Sequence, residues 1–175
     1  MCVIVDTNCF ANVFDPNSAK FEEFKPVLDW VLEGKGKFIY GGTKYIEELK
    51  KARKFLKFFN VLKSKTNKVV VVDKERVDKE QERISQIITD KDFDDPHLPA
   101  IAIVARCQII CSVDTRSVRF VTLPNLYPKG VKIPRYYTGL RNKNLLSDNY
   151  IDDRYKPLDK LNKKALQVLN AKLTI

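Results

Sequence analysis

Four acidic residues stand at positions from which they can do chemistry together. Asp6 ends the apolar run Cys2-Val3-Ile4-Val5, and Asp114 ends a second run from Gln108 to Val113. Glu48 lies one turn into a helical pattern, and Asp95 directly precedes Pro96. Carboxylates drawn into one cavity repel and raise one another's pKa unless a cation neutralises them. Oxygen-only donors select a hard divalent ion, Mg²⁺ or Mn²⁺. Such an ion generates hydroxide and polarises a phosphoryl oxygen, so metal-assisted hydrolysis is the reaction class these residues suit. Glu47 and Asp94 are secondary candidates beside Glu48 and Asp95. Thr7, Asn8, Ser112 and Thr115 flank the acids and are placed to orient them.

Each acid also has a plainer explanation. Asp95 suits the N-cap ahead of Pro96, Asp114 suits a strand-to-helix cap, and Glu48 sits among Lys44 and Lys51 as a surface ion pair would. Asp6 has the strongest individual claim, because the residues before it read as a buried strand. The single histidine, His97, is expected to be exposed on a first helical turn. Cys2, Cys9, Cys107 and Cys111 form no CxxC pair and have no histidine at zinc-site spacing, and with only one histidine in the chain a zinc site and Cys-His or Ser-His-Asp catalysis are disfavoured. Free core thiols are the expectation.

The elements that must position the acids follow from periodicity. Strands are predicted at Cys2–Val5, Phe38–Tyr40, Val69–Val72 and Gln108–Val113, as short β-branched or apolar runs. Helices are predicted from Phe21 to Leu32, ended by Gly34 and Gly36, and from an N-cap at Thr43 on through the basic stretch Lys50 to Lys63. Two more are predicted at Lys74–Ile88 and Leu98–Cys107, the latter capped by Asp95. Strands alternating with helices imply an α/β fold with a central parallel sheet flanked by helices, a Rossmann-like three-layer sandwich. Ligands of such sheets bind beyond the carboxyl ends of the strands, where Asp6 and Asp114 fall. Residues 121 to 147 carry Pro124, Pro128, Pro134, Gly130 and Gly139 and read mostly as loop. A last basic helix is predicted within Lys156–Leu173. The expected organisation is therefore a domain over residues 1–121 and a basic, loop-rich extension over 122–175 packed on it.

Composition bounds the partners. With 175 residues, 44% of them hydrophobic, the chain can bury a real core. No uncharged apolar run approaches the roughly 18 residues of a membrane span. Val3-Ile4-Val5-Asp6 places a carboxylate where a signal core would lie, so a cytoplasmic setting is the expectation. A net charge of +10 favours polyanions, nucleic acid first. Lys44, Lys50, Arg53 and Arg116 are the candidates for contacting RNA phosphates.

The motifs resemble the PIN-domain nuclease family. Val3-Ile4-Val5-Asp6-Thr7-Asn8 matches its strand ending in Asp-Thr-Asn, and Glu48-Leu49 its helical acid followed by leucine. Asp95 with Leu98, Ala100 and Ala102 matches its third motif, and Ile109-Ile110-Cys111-Ser112-Val113-Asp114 its Ser/Thr-x-Asp strand end. The resemblance covers residues 1 to about 121. It implies a Mg²⁺- or Mn²⁺-dependent endoribonuclease with Asp6, Glu48, Asp95 and Asp114 as metal-binding catalytic residues. It further implies a toxin controlled by an antitoxin, and a homodimer. The chain departs from the pattern in having no acid from Thr115 to Phe120, where relatives often carry one.

Two other readings compete. One is a catalytically weakened PIN-like module that only binds RNA or protein. The other is a phosphatase of the haloacid-dehalogenase type, which needs an acid two residues after Asp6, where this chain has Asn8. Dinucleotide binding is disfavoured, since no GxGxxG follows the first strand.

Overall fold

Branched apolar side chains pack well on a pleated surface, and the runs rich in them form the sheet. In the computed structural model, which describes residues 2–147, 153–155 and 160–173, β1 spans Cys2–Val5 and buries every residue. Burial of successive residues means that both faces of the strand are covered. β2 (Lys37–Gly41) is equally buried, whereas β3 (Val69–Val72) is partly exposed. β4 is Ile109–Cys111 and β5 is Arg135–Tyr137. The sheet order is β3-β2-β1-β4-β5 and every neighbouring pair is parallel. Flanking helices complete the predicted three-layer α/β sandwich.

The chain steps from β1 outward to β3, then returns past β1 to lay β4 and β5 on the other side. This reversal leaves a crevice beyond the carboxyl ends of β1 and β4, the favoured ligand position in open α/β sheets. The helices are α1 (Phe10–Phe14), α2 (Phe21–Leu32), α3 (Thr43–Lys51), α4 (Arg53–Lys65), α5 (Lys74–Ile87), α6 (His97–Ala105), α7 (Val118–Val121) and α8 (Lys163–Leu173). Edge-to-face rings of Phe14 with Phe38 and Phe59, 5.4 and 5.5 Å apart, lock α1, β2 and α4 together.

Several local details differ from the sequence reading. Gly42, not Thr43, precedes α3. It takes a positive φ of 78°, and a Cβ there would meet Val77 Cγ1 at 2.5 Å. Thr43 instead donates from its N–H and hydroxyl to Asp78, at 2.7 and 2.5 Å. The basic helical stretch breaks at Ala52, whose ψ of 61° separates α3 from α4. The stretch read as loop contains β5, so the sheet continues past residue 121. α8 packs on α4 with Leu169 buried, while the part of the predicted last helix at 156–159 lies outside the described residues. Among the described residues no helix is long and apolar enough to cross a membrane.

Candidate metal centre

The parallel ladder carries one step beyond β1 and β4. Asp6 N–H donates to the Cys111 carbonyl at 2.9 Å, and Ser112 N–H to the Tyr137 carbonyl at 3.1 Å. Asp6 and Ser112 therefore lie side by side. Ser112 Oγ donates to Asp6 Oδ2 at 2.7 Å and accepts from Asp114 N–H at 3.0 Å, so one hydroxyl joins the two strand ends. Asn8 N–H donates to Asp6 Oδ1 at 3.0 Å. Asp6 is only 2% exposed. Burial raises its pKa above the usual carboxylate value, the bonds from Ser112 and Asn8 oppose this, and the charges of Glu48 and Asp114 add to it.

Glu48 comes from α3. One turn earlier, the buried Tyr45 hydroxyl donates to the Val5 carbonyl at 2.5 Å and ties the helix to the end of β1. Residues three apart share a helix face, so Glu48 is directed to the same strand end. Thr7 Oγ1 donates to Glu48 Oε2 at 2.8 Å, and Lys44 Nζ lies 3.4 Å from Oε1. Thr7 thus orients Glu48 rather than Asp6. Glu47 is exposed, as expected of a side chain rotated by about 100° on the helix.

Asp95 does not cap α6. That helix begins at His97, and Pro96 takes the cap position without a side-chain cap hydrogen bond. The Asp95 carboxylate faces the other acids instead. Its Oδ1 lies 3.9 Å from His97 Nδ1, and His97 Nε2 lies 3.6 Å from Glu48 Oε2. One ligand atom from each of Glu48, Asp95 and His97 falls within 4.8 Å of the other two. Among the described residues this is the one such group, and it can hold a metal ion.

The expectation that His97 is exposed is overturned: it is 1% exposed. The residues that follow it, Leu98 to Ile103, are all buried, so α6 has no polar face to which its first residue could turn. The imidazole packs edge-on to Tyr45, 6.2 Å between centroids, and among the described residues neither ring nitrogen has a hydrogen-bond partner. A buried, unmatched polar atom is costly and rare. Burial pulls the imidazole pKa down to about 4, outweighing the upward pull of Glu48, which leaves the neutral form that ligates metals. Burial pushes the Asp95 carboxyl up to about 7, and Asp6, Asp94, Glu48 and Asp114 push it the same way. A cation would relieve both strains, so the donor set fits a divalent ion.

Asp114 is differently placed. Arg116 grips its two oxygens at 2.9 Å each while donating its backbone N–H at 3.0 Å. The side-chain hydrogen bond from Arg116 holds the Asp114 carboxyl below the usual range. Asp114 is thus a cap for the short turn Thr115–Ser117, and Arg116, a candidate for RNA contact, faces a carboxylate of its own chain. Lys50, Arg53 and Thr115 are exposed, and among the described residues their side chains share no hydrogen bond or ion pair with the acids; Asp94 is exposed and acts on Asp95 through its charge. The four cysteines are free and buried, and burial pushes the Cys107 thiol up to about 12, which makes it a poor nucleophile.

Comparison with protein-family models, with curated proteins and with solved structures gave no match for this chain.

Proposed function

We propose that the protein is a metal-dependent endoribonuclease of the PIN type, with Glu48, Asp95 and His97 holding the ion beside Asp6. The observation that carries this reading is the buried His97, both nitrogens unpartnered, facing two carboxylates at the switch point of a parallel sheet. When bound, a divalent ion supplies a hydroxide nucleophile and neutralises the phosphoryl charge. Thr7 fixes Glu48, and Ser112 and Asn8 fix Asp6, so the acids are oriented before any substrate arrives. Lys44 sits exposed beside Glu48, and Lys50 and Arg53 extend the positive surface along α3 and α4 toward a phosphate backbone. Mg²⁺ and Mn²⁺ both suit the carboxylates, and the imidazole nitrogen tilts the preference to Mn²⁺. The resemblance supports a toxin role with an antitoxin as partner.

The test is cleavage of a fluorogenic single-stranded RNA in Mn²⁺. Asp6→Asn and Asp95→Asn should each lower the rate by about a thousandfold, with circular dichroism unchanged. Cleavage by either variant at the wild-type rate would sink the reading. A second reading, a module that binds RNA without cutting it, is favoured by the neutralisation of Asp114 by Arg116. Salt-sensitive RNA binding with no calorimetric uptake of Mn²⁺ would establish it instead.

A further inference from the structure

Away from the acids, α5 and the end of α6 border a cleft of about 740 Å³ whose wall includes Val131. This is the size of a site for a small organic ligand. Its charged side is cationic. Arg76, Lys79 and Arg83 recur at i, i+3 and i+7 on α5 and so share one helix face, and Arg106 and Arg154 also line the cleft. Arg83 is committed to Glu80 and to the Leu126 carbonyl. Glu80 and Glu82 also line the cleft, Glu80 neutralised by Arg83, but among the described residues Arg76, Lys79 and Arg106 have no carboxylate partner. Ile103, Val104 and Pro128 give the same cleft an apolar side.

Arg106 is unusual in its backbone. Among the described residues it is the only non-glycine with a positive φ, at 50°. Its N–H donates to the Ile103 carbonyl at 3.2 Å and Cys107 N–H to the Ala102 carbonyl at 2.9 Å, a helix-ending turn that glycine adopts without steric cost. An arginine here is strained, and its side chain lines the cleft. It stands nine residues beyond His97, roughly 13 Å along a helix rising 1.5 Å per residue, so the cleft is separate from the acids.

We propose that this cleft is a second binding site, for a nucleotide unit, whose phosphate ester is gripped by Arg76, Lys79 and Arg106 while its base or sugar lies on Ile103, Val104 and Pro128. The phosphate belongs either to a free mononucleotide or to one residue of an RNA strand. Guanidinium groups match phosphate oxygens two at a time, and an apolar wall next to them suits a heterocycle better than a bare inorganic ion. The site stands whether or not the acids cut RNA.

The test is calorimetry on the full chain in EDTA, where no cleavage occurs, with inorganic phosphate, adenosine monophosphate and a short RNA oligomer as probes. Saturable binding is expected, tighter for the nucleotide than for phosphate, and weaker as salt rises. Arg106→Gly should melt at the wild-type temperature or about 2–4 °C higher, because strain is removed, yet bind at least tenfold more weakly. The double variant Arg76→Gln/Lys79→Gln should lose binding to a similar degree. Binding of adenosine monophosphate identifies a free-nucleotide site; binding of the oligomer alone, lost in Arg106→Gly, identifies a strand phosphate. No saturable binding of any probe, or binding that Arg106→Gly retains in full, overturns the proposal.

Discussion

The two walls of the crevice beyond β1 and β4 carry acids of the same charge in opposite surroundings. At the ends of β1 and β4 Asp6 receives hydrogen bonds from Ser112 and Asn8, and Asp114 is held by Arg116. On the α3 and α6 side Asp95 faces other acids, with the His97 imidazole 3.9 Å away, and among the described residues His97 has no hydrogen-bond partner. The first wall is matched by donors of the protein itself, although burial still raises the Asp6 pKa, whereas on the second an added positive charge would offset the Asp95 carboxylate and the unbonded imidazole. Proximity alone does not mark a metal site. What sets this group apart is that the described residues leave the His97 nitrogens unbonded and surround Asp95 with like charge.

The comparison breaks most sharply if His97 is not a ligand. His97→Gln should weaken Mn²⁺ binding at least about tenfold and Mg²⁺ binding less, because nitrogen donors favour the transition ion. Titration calorimetry reads both ions, and unchanged Mn²⁺ affinity would place the imidazole outside the ligand set.

A smaller effect separates the two unmatched groups by pH in chelator. The Asp95 carboxyl, raised to about 7 from 3.8, contributes stability at low pH that is lost as pH rises toward 7. The His97 imidazole, lowered to about 4 from 6.5, contributes in the opposite sense, gaining as pH rises from 4 to 6.5. The two slopes oppose each other in the wild type. His97→Gln should melt at falling temperature from pH 4 to 7, and Asp95→Asn at rising temperature from pH 4 to 6.5, each by roughly 5 °C. Slopes of the same sign in both variants would refute the assignment.

The smallest effect lies on the satisfied wall. Arg116→Ala frees Asp114, and Mn²⁺ affinity should rise by no more than about threefold with the melting temperature unchanged. A larger gain would show that Asp114 belongs with the unmatched donors.

Much of the architecture was legible in the chain. Cys2-Val3-Ile4-Val5 and the four valines at 69–72 could hardly be anything but strands, and Asp6 at the end of the first run was placed by that fact alone. β5 was not legible: Arg135-Tyr136-Tyr137 is three residues long, sits among prolines, and is held by pairing with β4, a non-local contact with no local signature. His97 was misread because a polar residue on a first helical turn usually faces water. The signal against it was present in the unbroken apolar run after it, which leaves that helix no wet side. The grip of Arg116 on Asp114 could be read only as a spacing, since two residues apart in sequence does not fix whether two side chains meet.

The hydroxyl of Tyr45 on the Val5 carbonyl has a reach beyond that one bond. With the tight turn at Gly42, it sets the depth and rotation at which α3 leaves the sheet, and so decides where Glu48 stands. Two residues that never meet a ligand thereby act as the surveyor's pegs of the crevice, and loss of either would displace an acid that is itself untouched.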